Sequence, residues 1–291
     1  MSPQFTFAAL GTTWWIELFE ELPIERRTVI LDDCTALVHQ FENNYSRFKS
    51  DSLISQLNQD RTLTEPSAEL RTLLTYGKNM YMRTNTHFNM LTGHIQEANG
   101  YDANYSFTMS DTATESSNPI TDLLIAKDEI TLTTNSKVDI GGFGKGFLID
   151  LLQKRLETEH GQKYFLINGG GDLYVTSNLD KPIKLHMEHP TTPKTSLGTV
   201  ELKDQAFASS SPYKRAWKAG DGTQSHIIGE TKLASYIIAE SAADADVFAT
   251  AALLMTQPEL EQLAKAETFR FHIFNPENNM MLSNVPTPPT A

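Results

Sequence analysis

The sequence predicts an α+β fold, in which helices and strands alternate without the regular spacing of β-α-β units. Apolar residues recur at helical spacing over 24–45 and 66–83, whereas 5–20 and 164–167 are rich in the aromatic and β-branched residues typical of strands. A length of 291 residues and a hydrophobic content of 40% suffice for a substantial core, in one large domain or two intimate ones.

The first half of the chain is predicted to form two strands and then two helices. Gly11 interrupts the strand pattern of 5–20, which indicates a turn or bulge. The first helix is expected from Ile24, and the second from Pro66, with the proline near its N1 position. The irregular stretch 85–118 is expected to be a loop that wraps a site.

The second half is predicted to form more strands than helices. We expect helices at 147–159, 243–255 (ended by Pro258) and 260–266, and strands at 130–132, 164–167, 173–175, 183–187, 199–202, 234–239 and 269–274. One domain is expected over residues 1–282. The proline-rich end, 283–291, is expected to be a disordered tail.

Charge and cysteine content exclude several classes of function. A formal net charge of −12 argues against a non-specific nucleic-acid or anionic membrane surface. The single cysteine, Cys34, excludes an internal disulfide and lies on an apolar helical stripe, which favours a buried position. With no signal-type start and no long apolar run, the sequence predicts a cytoplasmic protein, with a trimmed periplasmic form as the alternative.

The stretch Val138–Asp150 places four glycines and Lys145 between a predicted strand and a predicted helix. This order of elements aims backbone N–H groups and a helix N-terminus at an anion, for which a nucleotide phosphate is a natural ligand. The glycine spacing is neither that of a P-loop nor that of a dinucleotide fingerprint. The stretch therefore leaves two interpretations open, a phosphate site and a structural glycine turn.

Asp246 and Thr250 lie four residues apart on one face of a predicted helix. A carboxylate and a hydroxyl in this arrangement suit a hard divalent cation. The alternative is an ordinary helix N-terminus, with Ser241 as the N-cap and acidic residues in the first turn. A cation would also help to hold an anionic ligand against the negative charge of the chain.

Taken together and in order, these motifs resemble the ApbE family of FAD:protein FMN transferases. The matching segments cover nearly the whole chain: Leu10–Thr13, Ser46–Phe48 with Asp51–Ser52 and Leu57–Asn58, Phe88–Gly93, Val138–Gly146, Asn168–Asp172, Ala208–Ser211 with Tyr213, Ser225–Ile228, and Ala245–Thr250. Each segment is weak evidence by itself, whereas the ordered series is specific.

The resemblance implies a fold, an activity and ligands. The fold would be ApbE-like and T-fold-related, with mixed sheets, flanking helices and a flavin site between two intimately packed lobes. The activity would be the transfer of FMN from FAD, the substrate, to a threonine hydroxyl of an acceptor flavoprotein, with release of AMP and with Mg²⁺ as the cofactor. No nucleic acid and no membrane span are expected.

The resemblance also implies roles for individual residues. Asp246 and Thr250 would bind Mg²⁺ with the carbonyl of Gly142, and Asp246 would thus be catalytic. His226 would accept the proton of the acceptor hydroxyl, since histidine titrates near neutral pH, although a structural or ligand-orienting role is an equal alternative. Ring stacking is implied for Phe48. The remaining FAD contacts would come from Leu10, His87, Phe88, Asn89, Asp139, Lys145, His226 and Ile228.

The sequence departs from the family pattern at four places. Gly229–Leu233 replaces the segment that follows the family histidine, Phe88–Leu91 lacks the usual carboxylate and proline, Ser211 replaces a glycine, and Leu10 replaces a methionine. These departures concern acceptor docking and turnover more than FAD binding. Two further functions are therefore considered, a Mg²⁺-dependent FAD pyrophosphatase and a non-catalytic FAD-binding protein.

Overall fold

The computed structural model describes residues 5–102, 106–108, 117–177, 182–213, 216–219, 222–225, 228–229 and 231–285. Within these ranges the predicted α+β fold is confirmed, because antiparallel sheets are combined with flanking helices. The chain forms two compact units. The first contains Met1–Gln40, Phe143–Ser211 and Thr231–Ala291, and the second contains Phe41–Gly142 and Pro212–Glu230.

The helices and strands are numbered in chain order. The elements up to the glycine-rich stretch are β1 (Phe5–Ala9), β2 (Thr12–Leu18), α1 (Ile24–Tyr45), α2 (Leu53–Asp60), β3 (Thr62–Thr64), α3 (Ala68–Arg83), α4 (Gly93–Ala98), α5 (Pro119–Asp122), β4 (Leu123–Ile125) and β5 (Glu129–Leu132). They are followed by α6 (Gly144–Thr158), β6 (Phe165–Gly169), β7 (Asp172–Thr176), β8 (Ile183–Glu188), β9 (Ser196–Leu202), β10 (Gln205–Ser210), β11 (Ala216–Ala219), β12 (Gly222–Ser225), β13 (Ala234–Ala239), α7 (Ala242–Ala252), α8 (Gln257–Ala266), β14 (Arg270–Asn275) and β15 (Met280–Ser283).

The first unit is built on an eight-stranded antiparallel sheet with the order β1-β2-β6-β7-β10-β13-β14-β15. The helices α6 and α7 contact each other, α6 contacts β6 and β7, and α7 contacts β10 and β13. An apolar cluster that includes Leu173, Phe207 and Tyr236 joins the sheet to the β8-β9 hairpin. Burial of this kind of surface is the main stabilising term of the unit.

The second unit contains α2 to α5, a three-stranded antiparallel sheet with the order β3-β5-β4, and the β11-β12 hairpin. The segment before the glycine-rich turn lacks strand pairing but is held by specific bonds. Asn58 exchanges two hydrogen bonds with the backbone of Val138, at 2.9 and 2.7 Å. The Gly93 N–H donates to the Lys137 carbonyl, and the Asp139 N–H donates to the Met90 carbonyl. These bonds give the start of the turn a defined path.

Most predicted elements are confirmed, but several of the predicted boundaries are wrong. The second helix begins at Ala68, not Pro66, because the hydroxyl of Ser67 accepts a hydrogen bond from the Leu70 N–H and so caps the helix. Pro258 lies in the first turn of α8 instead of ending α7, which ends at Ala252. A short helix, α4, lies within the predicted loop 85–118.

The glycine-rich turn is shorter than predicted. Helix α6 begins at Gly144, so Lys145 and Gly146 lie in its first turn and not in a loop. The predicted domain boundary at residue 282 falls inside β15, and the Asn284 side chain bonds the backbone of Phe269 and Phe271. Residues 286–291 of the predicted tail lie outside the described residues.

Candidate functional site

A buried cluster of three charged side chains lies in the first unit. The Lys145 ammonium is 2.7 Å from Oδ2 of Asp172 and 3.2 Å from Oδ2 of Asp246. The same Asp246 oxygen accepts a hydrogen bond of 3.1 Å from the Gly146 N–H. The cluster therefore joins the first turn of α6, the start of β7 and the middle of α7, which are three elements separated in the sequence.

The cluster carries one positive and two negative charges in a place from which water is largely removed. Asp172 and Asp246 are only 4% and 6% exposed. Burial raises the pKa of the Asp172 carboxyl to about 6; Lys145 opposes this shift, and the nearby Asp246 carboxylate adds to it. A net negative charge in a buried position favours the approach of a further cation.

Helix α7 is held close to α6, with no room for a side chain at Gly146. A Cβ atom at Gly146 would lie 2.2 Å from the carbonyl oxygen of Ala242, so only glycine permits this approach. The carboxylate of Asp150 accepts hydrogen bonds from the Ser241 hydroxyl and from the N–H groups of Ala242 and Ala243, at 2.7 to 3.0 Å. The start of α7 is therefore fixed to α6 by both steric fit and hydrogen bonding.

The residues of α7 fit a divalent cation through the chemistry of their oxygen atoms. The described hydrogen bonds to Asp246 are both made to Oδ2, and Thr250 lies half-buried one helical turn after it. A carboxylate and a hydroxyl on one helix face suit Mg²⁺, which also takes phosphate and water oxygens. The N-terminus interpretation is also correct for Ser241, whose hydroxyl caps the helix at the Asp244 N–H.

In the second unit, Asp139 is held by two donors. Its Oδ2 atom is 2.7 Å from Nε of Arg47, and its Oδ1 atom accepts a hydrogen bond of 2.7 Å from the Gly141 N–H. The carboxylate therefore fixes the first residue of the glycine-rich turn. Since a carboxylate oxygen can accept more than one hydrogen bond, these contacts are compatible with a further contact to a ligand.

The ring of Phe48 packs against the guanidinium of Arg47 and the ring of Tyr101. The Cζ atom of Arg47 is 4.2 Å from the centroid of the Phe48 ring, within cation–π range. The ring of Tyr101 meets Phe48 edge to face, with 5.4 Å between centroids and an interplanar angle of 80°. The half-buried Phe48 ring is thus supported on one side by a charged plane and at its edge by a second aromatic residue.

The segment 87–89 lies beside the glycine-rich turn. A Cβ atom at Gly142 would lie 3.0 Å from Cε2 of the buried Phe88 ring, so the ring touches this glycine. Asn89 uses its amide locally, because Nδ2 donates to the Ser117 carbonyl and Oδ1 accepts from the Leu91 N–H, both at 2.8 Å. His87 is half-buried. Its N–H donates to the Thr84 carbonyl at 3.1 Å.

Of the remaining predicted site residues, the structure describes Leu10 and Ile228. Leu10 is half-buried in the first unit, at the β1-β2 turn, with a left-handed φ of 52°. Ile228 is half-buried in the second unit. His226, the predicted proton acceptor, lies outside the described residues.

Three residues of these clusters were absent from the predicted site. Asp172 ends the quoted motif Asn168–Asp172, Arg47 lies in the quoted motif Ser46–Phe48, and Tyr101 lies in the stretch 85–118. The motifs were therefore a signal for the first two residues. For Tyr101 the sequence carries no comparable signal, because its approach to Phe48 depends on how a long irregular segment folds.

Comparison with known protein families identifies the chain. The model of the ApbE family matches residues 10–273, which is most of the sequence. The chain belongs to the ApbE family. A curated relative from Haemophilus influenzae, named FAD:protein FMN transferase, is 22% identical over 224 residues, which are 70% of this chain and 64% of that protein. The chain thus matches less than two thirds of the length of this relative.

Solved structures of ApbE proteins share the fold. The ApbE protein from Thermotoga maritima matches with a TM-score of 0.82 and 19% identity, over 97% of both chains. The flavinyl transferase ApbE of Pseudomonas stutzeri matches with a TM-score of 0.78 and 19% identity, over 98% of this chain and 94% of its own. The flavin transferase ApbE of Vibrio cholerae matches with a TM-score of 0.79 and 18% identity, over 97% of this chain and 96% of its own.

Proposed function

We propose that this ApbE-family protein is a flavin transferase that moves FMN from FAD to a threonine hydroxyl of an acceptor flavoprotein and releases AMP, with Mg²⁺. The observation that carries the proposal is the buried cluster of Lys145, Asp172 and Asp246 at the first turn of α6. Membership of the ApbE family and the name of the curated relative support the same activity.

The reaction exchanges a phosphoanhydride bond for a phosphoester bond. The threonine oxygen forms a bond to the phosphorus atom on the FMN side of the pyrophosphate, and the bond from that phosphorus to the AMP oxygen breaks. The hydroxyl loses a proton, for which we propose His226 as the acceptor. In phosphoryl transfer the protein itself makes and breaks few covalent bonds, so it acts mainly by positioning the reactants and by stabilising charge.

Within this proposal, Asp246, Thr250 and the carbonyl of Gly142 would hold Mg²⁺. Bound there, the ion supplies Lewis-acid stabilisation of negative charge on the phosphate oxygens. Lys145 is a second cation, and its place in the first turn of α6 puts its charge next to a helix N-terminus, which also favours an anion. Asp172 would hold the Lys145 ammonium in place through their ion pair.

The proposal is tested by incubating the purified protein with FAD and Mg²⁺, with and without a threonine-bearing acceptor domain. AMP is measured by chromatography and the acceptor by mass spectrometry. We expect the acceptor to gain the mass of one FMN with an equal amount of AMP. FAD that neither binds nor is cleaved would contradict the proposal.

A second candidate is a Mg²⁺-dependent FAD pyrophosphatase, in which water replaces the threonine hydroxyl. The departures at Gly229–Leu233 and Phe88–Leu91 favour it, because they alter segments that we associate with acceptor docking and turnover. AMP released equally with and without the acceptor, and no gain in acceptor mass, would support this candidate. FAD bound without any AMP would support a non-catalytic FAD-binding protein.

A further inference from the structure

Arg47 is a buried charge that the proposed chemistry does not use. Its side chain is only 3% exposed. Removal of a guanidinium from water is costly unless its N–H groups are paired, so a buried arginine is retained where its bonds serve a purpose.

The contacts of Arg47 reach three segments. Nε donates to Oδ2 of Asp139 at 2.7 Å, NH2 donates to the Tyr101 carbonyl at 2.9 Å, and NH1 lies 3.9 Å from Oε1 of Glu97. The flat guanidinium face lies on the ring of Phe48, 4.2 Å from its centroid. One side chain therefore joins the glycine-rich turn, the segment after α4 and the aromatic ring that follows it in sequence.

The contact with Asp139 extends to the turn itself. The carboxylate of Asp139 bridges Arg47 and Gly141. Its Oδ2 atom is 2.7 Å from Nε of Arg47, and its Oδ1 atom is 2.7 Å from the Gly141 nitrogen. The next residue, Gly142, touches the Phe88 ring. A change in the position of Arg47 would thus be transmitted through one carboxylate to the backbone of Gly141, and directly to the plane of Phe48.

We propose that Arg47 is a positioning residue that holds the Phe48 ring and the Asp139–Gly142 turn in one arrangement and thereby sets the affinity for FAD. This inference rests on the proposed function, in which Phe48 and Asp139 contact the flavin substrate. Arg47 acts through these two residues and not on the reacting phosphorus. Its loss therefore weakens FAD binding more than it slows the chemical step.

The main variant is Arg47→Lys, which keeps the charge but loses the planar fork and the stacking plane. The control is Arg71→Met in the same unit, because Arg71 donates to the backbone carbonyls of Pro66 and Lys127, away from the residues named above. FAD affinity is measured without metal from the quenching of flavin fluorescence, and AMP release is measured with Mg²⁺ at saturating FAD. Thermal unfolding shows which variants are folded, and Arg47→Gln replaces Arg47→Lys if the latter is not.

For the folded Arg47 variant we expect the Kd for FAD to rise about tenfold or more, with AMP release at saturation within about threefold of wild type. The amount of quenching at saturation should also fall, since Phe48 no longer has a fixed plane. Arg71→Met should leave the Kd, the quenching and the rate unchanged. A Kd within about twofold of wild type, or a rate that falls as far as the Kd rises, would overturn the inference. If wild type itself fails to bind FAD, the proposed function is overturned and not only the role of Arg47.

Discussion

Lys145 shows how a single residue can connect distant parts of a sequence. Its ammonium bridges Asp172 and Asp246, which lie 27 and 101 positions away in the chain, at 2.7 and 3.2 Å. The described cluster has one positive charge between two buried carboxylates, and a net negative charge attracts a further cation. This imbalance is the physical argument for the divalent ion that we propose at α7.

Replacement of Asp246 tests this assignment. In Asp246→Asn we expect Mg²⁺-dependent AMP release to fall by more than about 100-fold, because changes that merely surround a metal ligand already cost 10- to 100-fold. The protein should remain folded, since Lys145 keeps its closer partner, Asp172. The control is Asp244→Asn in the first turn of the same helix. AMP release that is equal in Asp246→Asn and wild type would refute the metal assignment.

The exact conformation of Asp139 could not be read from its position in the motif. The resemblance implies a contact with FAD, and the structure shows both carboxylate oxygens already bonded within the protein. Its buried partner, Arg47, directly precedes Phe48 in the sequence. A charged residue ordinarily faces solvent, so the burial of Arg47 is not expected from the sequence. The guanidinium can be buried because the folded segment around Asp139 supplies an acceptor for its N–H groups.

At the scale of the elements, the placement of α7 is decided by α6. Asp150 lies two turns along α6 and binds three donors at the start of α7, while Gly146 allows the two helix backbones to touch. Burial raises the pKa of the Asp150 carboxyl, and the hydrogen bonds from α7 oppose that shift. The position of Asp246 and Thr250 therefore depends on a residue that contacts neither.

We expect Asp150→Ala to destabilise the protein by about 1–3 kcal/mol, because buried N–H groups of α7 lose their acceptor. It should also weaken Mg²⁺ binding, which isothermal titration calorimetry measures. The matched control is Glu259→Ala, which removes the side-chain acceptor that caps α8 instead. Glu259→Ala should lower stability modestly and leave Mg²⁺ affinity unchanged. Equal Mg²⁺ affinity in folded Asp150→Ala and wild type would contradict the role of Asp150.

Gly146→Ala tests the close approach of the two helices. The added Cβ would meet the Ala242 backbone at 2.2 Å, and backbone cannot move aside as a flexible side chain can. We expect a loss of stability of about 3 kcal/mol or more, larger than overpacking usually costs. Gly161→Ala is the comparison, because no atom lies within 4 Å of its Cβ position and only its φ of +66° opposes alanine. Urea unfolding should show the smaller loss, about 1 kcal/mol, for Gly161→Ala.

At the scale of the whole molecule, the buried His272 links stability to pH. It is 1% exposed in β14, next to the edge strand β15 of the large sheet, and its Nδ1 atom has no hydrogen-bond partner in the described part of the chain. Burial lowers the pKa of His272 to about 4, and the nearby Arg270 adds to the shift. The native state thus holds this imidazole neutral where the unfolded chain would protonate it.

The sign of the effect follows from linkage. Between the unfolded pKa near 6.5 and the folded pKa of about 4, the unfolded state binds more protons, so the free energy of unfolding falls as the pH falls. Asp172 acts in the opposite sense: its pKa is raised from 3.8 to about 6, so between these values the folded state binds more protons and the free energy of unfolding falls as the pH rises. The pH dependence of the free energy of unfolding therefore contains contributions of both groups. Comparison of a His272 variant with wild type separates the contribution of His272.

When the pH is lowered from 7.5 to 5, we expect the free energy of unfolding to fall less in His272→Phe than in wild type. The two decreases should differ by about 1–2 kcal/mol. Urea unfolding at both pH values measures them. His186→Phe, on a hairpin strand of the same unit, is the control and should follow wild type. Identical pH dependence in His272→Phe and wild type would show that His272 is not held neutral by the fold.

The α+β class, most of the helices and strands, and the family resemblance could all be predicted from the amino-acid sequence, and the ApbE family match over residues 10–273 confirms the last of these. These are properties of local pattern and of motifs, because apolar periodicity, caps and glycine turns act over a few residues. Three contacts could be found only in the folded protein: Asp172 joins Lys145 and Asp246, Arg47 supports Asp139 and Phe48, and Gly146 brings α6 against α7. Such contacts are made between residues far apart in the chain, and burial, charge pairing and steric fit determine them only once the core has formed.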